Sequence, residues 1–226
     1  MRQLLADCTG EAFVQGLGLA VRRDDAVLGW RRPLRDLALH LGVYPQLQPA
    51  TVAVGAAAPL GRLSAAQLRG AARLAATLGD GSLRMTPWQS LLLPNIAARR
   101  ADTALQGLHA LGLLCDPRQA LARMVACTGS AGCAKALADT KADALQLAAL
   151  LREPGAVAGI HLSGCARSCA LAHSAPATLL AVGHARYDLY FHDPAQPGLG
   201  VLTGRNLTLK EAGTQLDARP RSNPDD

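Results

Sequence analysis

Four of the chain's six cysteines fall in two short stretches, CTGSAGCAKA and HLSGCARSCA. Cys127 and Cys133 have five residues between them, and Cys165 and Cys169 have three. Structural zinc sites favour shorter knuckles of two to four intervening residues in both pairs. A redox CxxC is absent, and clustered thiols in a reducing compartment read as metal or redox groups before disulfides. Free cysteine also packs as a small hydrophobe, but two glycine-flanked pairs in one half of the chain exceed what packing asks for. Four thiolates fit an iron–sulfur cubane, which takes one cysteine per iron. Gly129 and Gly132 let the first loop wrap closely, and its amides can donate to sulfur. Ser163-Gly164 reads as a turn into a helix. That would put Cys165 and Cys169 four apart on one helical face, near a positive helix end that favours thiolate.

The rest of the chain must position these loops. Its 226 residues suffice for one large or two small domains. Half are apolar and 3% aromatic, so the core is built mainly from Ala, Leu and Val. The run TVAVGAA (51–57) predicts a strand. Ser64 and Gln67 form a capping box that starts a helix carrying Leu68, Ala71, Ala72, Ala75 and Leu78, ended at Gly79 and Gly81. SLRMT and SLLLPNI read as strands around a PWQ turn. RADTALQGLHALGLL reads as a second helix with Leu105, Leu108 and Leu111 on one side. Strand, helix, strand, strand, helix is most of a ferredoxin-like α+β unit.

From Leu121 onward, ARMVACTG is extended into the first cysteine pair. Residues 134–151 show helical spacing, with Leu137, Ala144, Leu147, Ala148 and Leu151 on one face and Lys135, Asp139 and Asp143 elsewhere. AVAGIHL reads as a strand into the second pair, and ATLLAVG with YDLYFH as a hairpin. The resulting domain expectation is a linking segment over 1–50, the ferredoxin-like half-repeat over 51–115, a cluster-binding domain over 116–210 and a flexible tail over 211–226.

The net charge of +6 comes from 23 Lys+Arg against 17 Asp+Glu. Arginine forks suit carboxylates and phosphates, but no aromatic-interleaved basic stripe points to nucleic acid. Asp7 and Glu11 interrupt the first apolar run, so a secretory signal is not expected. No stretch reaches the roughly 18 apolar residues of a membrane span. The expected location is cytoplasmic, with no membrane partner.

The motif C-x5-C with C-x3-C resembles the signature of the sirohaem and iron–sulfur nitrite and sulfite reductase superfamily. HLSGCARSCA, GVYPQ and the segment GRLSAAQLRGAARLAATLGDGSLRMTPWQSLLLPNI are more similar to its precorrin-3B synthase branch. Reductases usually carry Pro-Asn where this chain has Ser163-Gly164. The resemblance spans about residues 28–192. It implies an α+β fold, a ferredoxin-like half-repeat followed by an α/β [4Fe–4S] cluster-binding domain of the nitrite/sulfite reductase type. It also implies a cluster on Cys127, Cys133, Cys165 and Cys169, with Cys169 bridging to haem iron if sirohaem is bound. Arg84, Thr86 and Gln89 match the strand motif that faces the tetrapyrrole, and Arg167, between two ligands, would neutralise the cluster or bind substrate.

For the precorrin-3B synthase branch, the implied reaction is O₂-dependent hydroxylation and lactone formation on precorrin-3A in cobalamin biosynthesis. The electron donor would be NADH or a reductase, and a mononuclear non-haem iron is the alternative to sirohaem. A sirohaem-dependent nitrite or sulfite reductase fragment and a non-catalytic iron–sulfur module are the rival expectations. The family pairs two such halves, so an N-terminal-half chain or self-association is the expected partner. His161, His173, His184 and Trp88 are secondary candidates near the site. Cys115 is expected to be a packed thiol, and no catalytic residue is assigned.

Overall fold

The structure is a computed structural model that describes residues 15, 16, 18, 40–152, 159–171, 174–196 and 198–219. The chain divides into Met1–Arg35 and Asp36–Asp226. The second unit holds every element that follows. His173 and most of the expected linker lie outside the described residues.

The first sheet is antiparallel. β1 (Gly42–Pro45), β2 (Thr51–Ala57), β3 (Arg84–Met85) and β4 (Ser90–Ala97) run in the order β1-β2-β4-β3. Val52, Val54 and Ala56 alternate onto the face covered by α1 (Ala65–Leu78) and α2 (Ala101–Ala110). There they join Ala71, Ala75, Leu91, Leu93, Ala104 and Leu108 in one core. Ser64 and Gln67 form the expected capping box, an arrangement worth about 1 kcal/mol. The buried stripe of α1 is Gly70, Ala71 and Ala75. Leu68 and Ala72, expected on that stripe, are exposed. Gly70 and Gly107 bring the two helices together, since a Cβ at either would strike Leu111 or Leu74. β1 falls inside the segment expected to be a linker. It pairs along β2, so the sheet begins before residue 51.

The second sheet has the order β5-β6-β7-β8-β9, from Met124–Ala126, Ile160–Ser163, Ala177–Gly183, Arg186–Phe191 and Val201–Leu207. β5, β6 and β7 are parallel, and β7, β8 and β9 are antiparallel. α3 (Thr140–Leu150) makes the crossover that a parallel pair requires. It packs with α4 (Leu209–Asp217) on one face of the sheet, burying Ala144, Leu147, Ala212 and Leu216 against Leu162, Leu179 and Leu189.

Three expectations give way here. Helix was expected over 134–151, but it starts at Thr140, where the Asp139 side chain accepts from the Ala142 amide and caps it. The preceding amides bond elsewhere: Ala136 to the Cys133 carbonyl at 3.1 Å and Leu137 to the Gly164 carbonyl at 2.8 Å. Leu137 is consequently 53% exposed rather than on an apolar face. Asp143, expected outside, is buried and accepts the Tyr187 hydroxyl at 2.6 Å. Finally, α4 occupies part of the expected tail. Thr208 and Glu211 form its capping box, a start signal carried in four residues of the sequence.

The two sheets are joined closely. Leu114, after α2, exchanges backbone hydrogen bonds of 2.8 and 2.9 Å with Ala57 of β2, and this pair packs against Leu121 and Ala122 on the way to β5. Leu60, in the turn Pro59–Gly61 of the first half, is buried in the core of the second. The Lys141 ammonium donates to the Leu60 carbonyl. Among the described residues no helix is long and apolar enough to cross a membrane.

Candidate functional site

Cys127 follows β5 and Cys165 follows β6, with Ala126 registered opposite Leu162. Both cysteine loops thus leave the carboxyl ends of adjacent parallel strands, where open α/β sheets place their sites. The loops lock together. The Cys127 amide donates to the Leu162 carbonyl at 3.2 Å, and the Gly164 amide donates to the Cys127 sulfur at 3.2 Å. The Thr140 hydroxyl lies 2.9 Å from the Cys127 carbonyl and 3.4 Å from its sulfur.

Two glycines allow this approach. Gly129 has φ +71°, and a Cβ there would come within 2.6 Å of the Thr140 nitrogen. A Cβ at Gly164 would sit 2.6 Å from the Ala136 Cβ and 3.3 Å from the Cys127 sulfur. Burial works to raise the Cys127 pKa. Hydrogen bonds from Thr140, Gly164 and Gly129 and the charge of Lys141 outweigh it, so the thiol is held below its ordinary value.

Cys165 and Cys169 do not lie on a helical turn. Residues 164–171 form successive turns, and Ser168 has φ +49°, which interrupts any helix. The Ser168 amide reaches the Cys165 carbonyl at 3.4 Å, and the Ser163 hydroxyl holds that carbonyl at 2.7 Å. Cys165 is half-buried and Cys169 exposed. Among the described residues no three His, Cys, Asp or Glu side chains are gathered to hold one metal ion. A cubane binds each thiolate on a different iron, so it does not require thiols converging on a point. Two further observations suit such a group. Its loops are glycine-cradled, and the Ser168 hydroxyl, between Cys165 and Cys169, is enclosed with no hydrogen-bond partner among the described residues.

The remaining candidates separate. Gln89 lines a cleft of about 250 Å³, together with His40, Trp88, Arg123, Ala170 and Leu171. The PWQ turn and the residues directly after Cys169 thus share one cavity. His40 stacks on Trp88 with ring centroids 5.6 Å apart, and burial lowers the pKa of His40. Gln89 has φ +58°, and its side chain sits where a Cβ of Gly61 would go. The Thr86 hydroxyl is engaged in its own turn, 2.5 Å from the Ser90 hydroxyl and accepting from the Trp88 amide at 3.2 Å. Arg84 is exposed on β3, and Arg167 is exposed between Cys165 and Cys169. Neither lines the cleft.

His161 is buried within β6, and His184 is exposed in the β7–β8 turn. Cys115 packs in the first core, and burial pushes its thiol up to about 11. Sequence reasoning missed Thr140 and Gly164 as partners of Cys127, and Ala136 as the neighbour of Gly164. The Asp139-Thr140 helix start was the one signal available for Thr140.

Three comparisons with known proteins bear on this arrangement. Residues 44–111 match the nitrite/sulfite reductase ferredoxin-like half domain. The chain is 41% identical over 145 residues to the chloroplastic ferredoxin–nitrite reductase of Zea mays, covering 62% of this chain and 25% of the relative. It is 34% identical over 139 residues to a ferredoxin sulfite reductase of Mycolicibacterium paratuberculosis, covering 58% and 25%. Its fold is similar to the NirA protein of Mycobacterium tuberculosis, with a TM-score of 0.63 at 26% identity, covering 92% of this chain and 41% of NirA. The chain spans about a quarter of the length of the curated relatives it matches. Residues 44–111, which span β1 through α2, are thus similar to the ferredoxin-like half domain of the nitrite and sulfite reductases.

Proposed function

We propose that this chain is the cluster-bearing half of an oxidoreductase of the nitrite and sulfite reductase type. In this reading Cys127, Cys133, Cys165 and Cys169 hold a [4Fe–4S] cluster, and a tetrapyrrole lies beyond Cys169. The supporting observation is the interlocking of the two cysteine loops at the ends of β5 and β6, where the Gly164 amide meets the Cys127 sulfur. When bound, the cluster supplies single electrons and a sirohaem supplies the centre at which nitrite or sulfite is reduced.

The chain's own residues bind and orient. Gly129 and Gly164 let the loops close, and Thr140 and the Gly164 amide stabilise the Cys127 thiolate. Ala170 and Leu171 continue from Cys169 into the cleft wall, opposite Trp88 and Gln89. Arg123 borders the cleft, and the exposed Arg84 and Arg167 are forks suited to carboxylates. The electron donor is a ferredoxin, as the names of the plant and mycobacterial relatives state for those proteins. The active site is completed by a second half.

A second reading, a precorrin-3B synthase-type oxygenase with the tetrapyrrole as substrate, is favoured by one feature. Gly164 stands where the reductases usually have a side chain, and Ala136 fills the space instead.

Anaerobic purification with iron and sulfide analysis, visible and EPR spectra tests both, with Cys169→Ser alongside. About four irons and four sulfides per chain, lost in the variant, are expected. Sirohaem bands that respond to nitrite or sulfite support the reductase. Their absence, with O₂-dependent turnover of precorrin-3A, supports the oxygenase. Zinc, or a well-folded chain without metal, overturns the cluster assignment.

A further inference from the structure

Two non-glycine residues that line the cleft hold left-handed backbone, Leu60 with φ +51° and Gln89 with φ +58°. That conformation is disfavoured for an L-residue, so neighbours must hold each one in place. Here the two segments hold one another. The Ala58 amide donates to the Gln89 carbonyl at 3.2 Å. The Gln89 side chain packs on Gly61, where a Cβ would come within 2.3 Å of its Oε1.

The same turn also reaches the cysteine loops. The Leu60 side chain is buried in the core of the second half, and its carbonyl accepts from the Lys141 ammonium. Lys141 is the second residue of α3, directly after Thr140. Thr140 is fully buried, and its hydroxyl donates to the Cys127 carbonyl at 2.9 Å. The Cys127 amide donates to the Leu162 carbonyl, two residues before Gly164. Contacts thus run from Gln89 in the cleft, through Leu60 and Lys141, to both cysteine loops.

Strain gives the turn a second state. Once Gln89 or Lys141 lets go, Leu60 is free to relax toward ordinary extended or helical backbone, and its carbonyl leaves α3. We propose that Gln89 is a positioning residue that couples the cleft to the closure of the cysteine loops, with the turn Pro59–Gly61 as the latch between them. A group that binds the cleft better in one state of the turn than in the other biases the loops, and closed loops bias the cleft by the same factor. The inference goes beyond the proposed function, because these contacts belong to the chain itself, whatever group the thiols bind.

Hydrogen exchange followed by mass spectrometry tests the coupling in the wild-type chain, Gln89→Ala, Lys141→Met, the double variant and Lys141→Arg. Methionine keeps an unbranched stem without the donor, and arginine keeps a donor. The reporters are the Cys127, Ser130 and Leu137 amides, bonded to the Leu162, Ala138 and Gly164 carbonyls. The amides of α2 are the reference. Gln89→Ala and Lys141→Met should each speed exchange at the reporters about fivefold, as for loss of one ordinary hydrogen bond, and leave α2 unchanged. The double variant should be no faster than the faster single variant, and Lys141→Arg should stay at wild-type rates. Gln89→Ala that speeds exchange only in its own turn overturns the proposal, as do increases that multiply in the double variant or an equal increase in α2. Should Gln89→Ala fail to fold, Gln89→Asn carries the same comparison, since asparagine tolerates left-handed backbone and its shorter amide leaves Gly61.

Discussion

Replacing Gly164 with alanine tests the loop junction most directly. The new methyl would stand 2.6 Å from the Ala136 Cβ and 3.3 Å from both the Ala136 Cα and the Cys127 sulfur. Carbon pairs at rest lie about 3.5–4.0 Å apart, so the loops must part by about 1 Å. Gly164 is not among the positive-φ residues, so its backbone accepts alanine and the cost is steric. Overpacking of this kind costs about 1–3 kcal/mol. In a unit of this size that lowers the melting temperature by about 2–4 °C for each kcal/mol.

The same displacement draws the Gly164 amide away from the Cys127 sulfur, already 3.2 Å away. Iron and sulfide content should therefore fall with stability. Thermal melts of the apo chain and metal analysis after reconstitution read the two effects separately. Ala136→Gly in the Gly164→Ala background removes the opposing methyl and should recover at least half of each loss. That non-additivity is characteristic of residues in contact. A Gly164→Ala variant with wild-type melting and full iron would refute the reasoning, as would a double variant no better than the single.

Tyr187→Phe should cost about 2 kcal/mol in a thermal melt, because it leaves buried Asp143 without its 2.6 Å donor. Tyr187→Phe combined with Asp143→Leu should recover much of that loss, since replacing both partners by apolar groups can be near neutral. Alkaline stability follows from the raised pKa values. Burial lifts the Cys115 thiol to about 11, and burial with the Asp143 hydrogen bond lifts the Tyr187 phenol above its ordinary value. Both favour the neutral form in the folded state, so their contribution is complete below the unfolded values near 8.5 and 10 and is lost as pH rises beyond them. Cys115→Ala should flatten the decline between about pH 8.5 and 11 in urea titrations.

What could be read from the sequence was local. The Ser64–Gln67 capping box, strand Thr51–Ala57 and the hairpin of Ala177–Gly183 with Arg186–Phe191 each carry their signal within a few residues. The candidate thiols were legible for the same reason, from their spacing. What failed depended on distant partners. The helix expected from residue 134 starts later because the amides before it bond to the Cys133 and Gly164 carbonyls. Asp143 is inside because Tyr187 reaches it across the sheet. Arg84 and Thr86 share a motif with Gln89, yet only Gln89 reaches the cleft, because β3 turns Arg84 outward and Ser90 occupies the Thr86 hydroxyl. No local pattern announces that Gly164 lies against Ala136, or that Thr140 lies against Cys127.

In the proposed cluster reading, the parallel pairing of β5 and β6 also sets a schedule for cofactor delivery. Cys127 and Cys133 leave the ribosome before α3 and β6 exist, and synthesis of the intervening chain takes on the order of a few seconds. Until the crossover closes, the Gly164 amide and half of the thiols are missing from the site. Non-local parallel pairing is itself slow to form. Iron that reaches the nascent chain early therefore meets an incomplete set of ligands, and a scaffold that delivers an assembled cluster to the closed fold suits this topology better than stepwise capture of free iron.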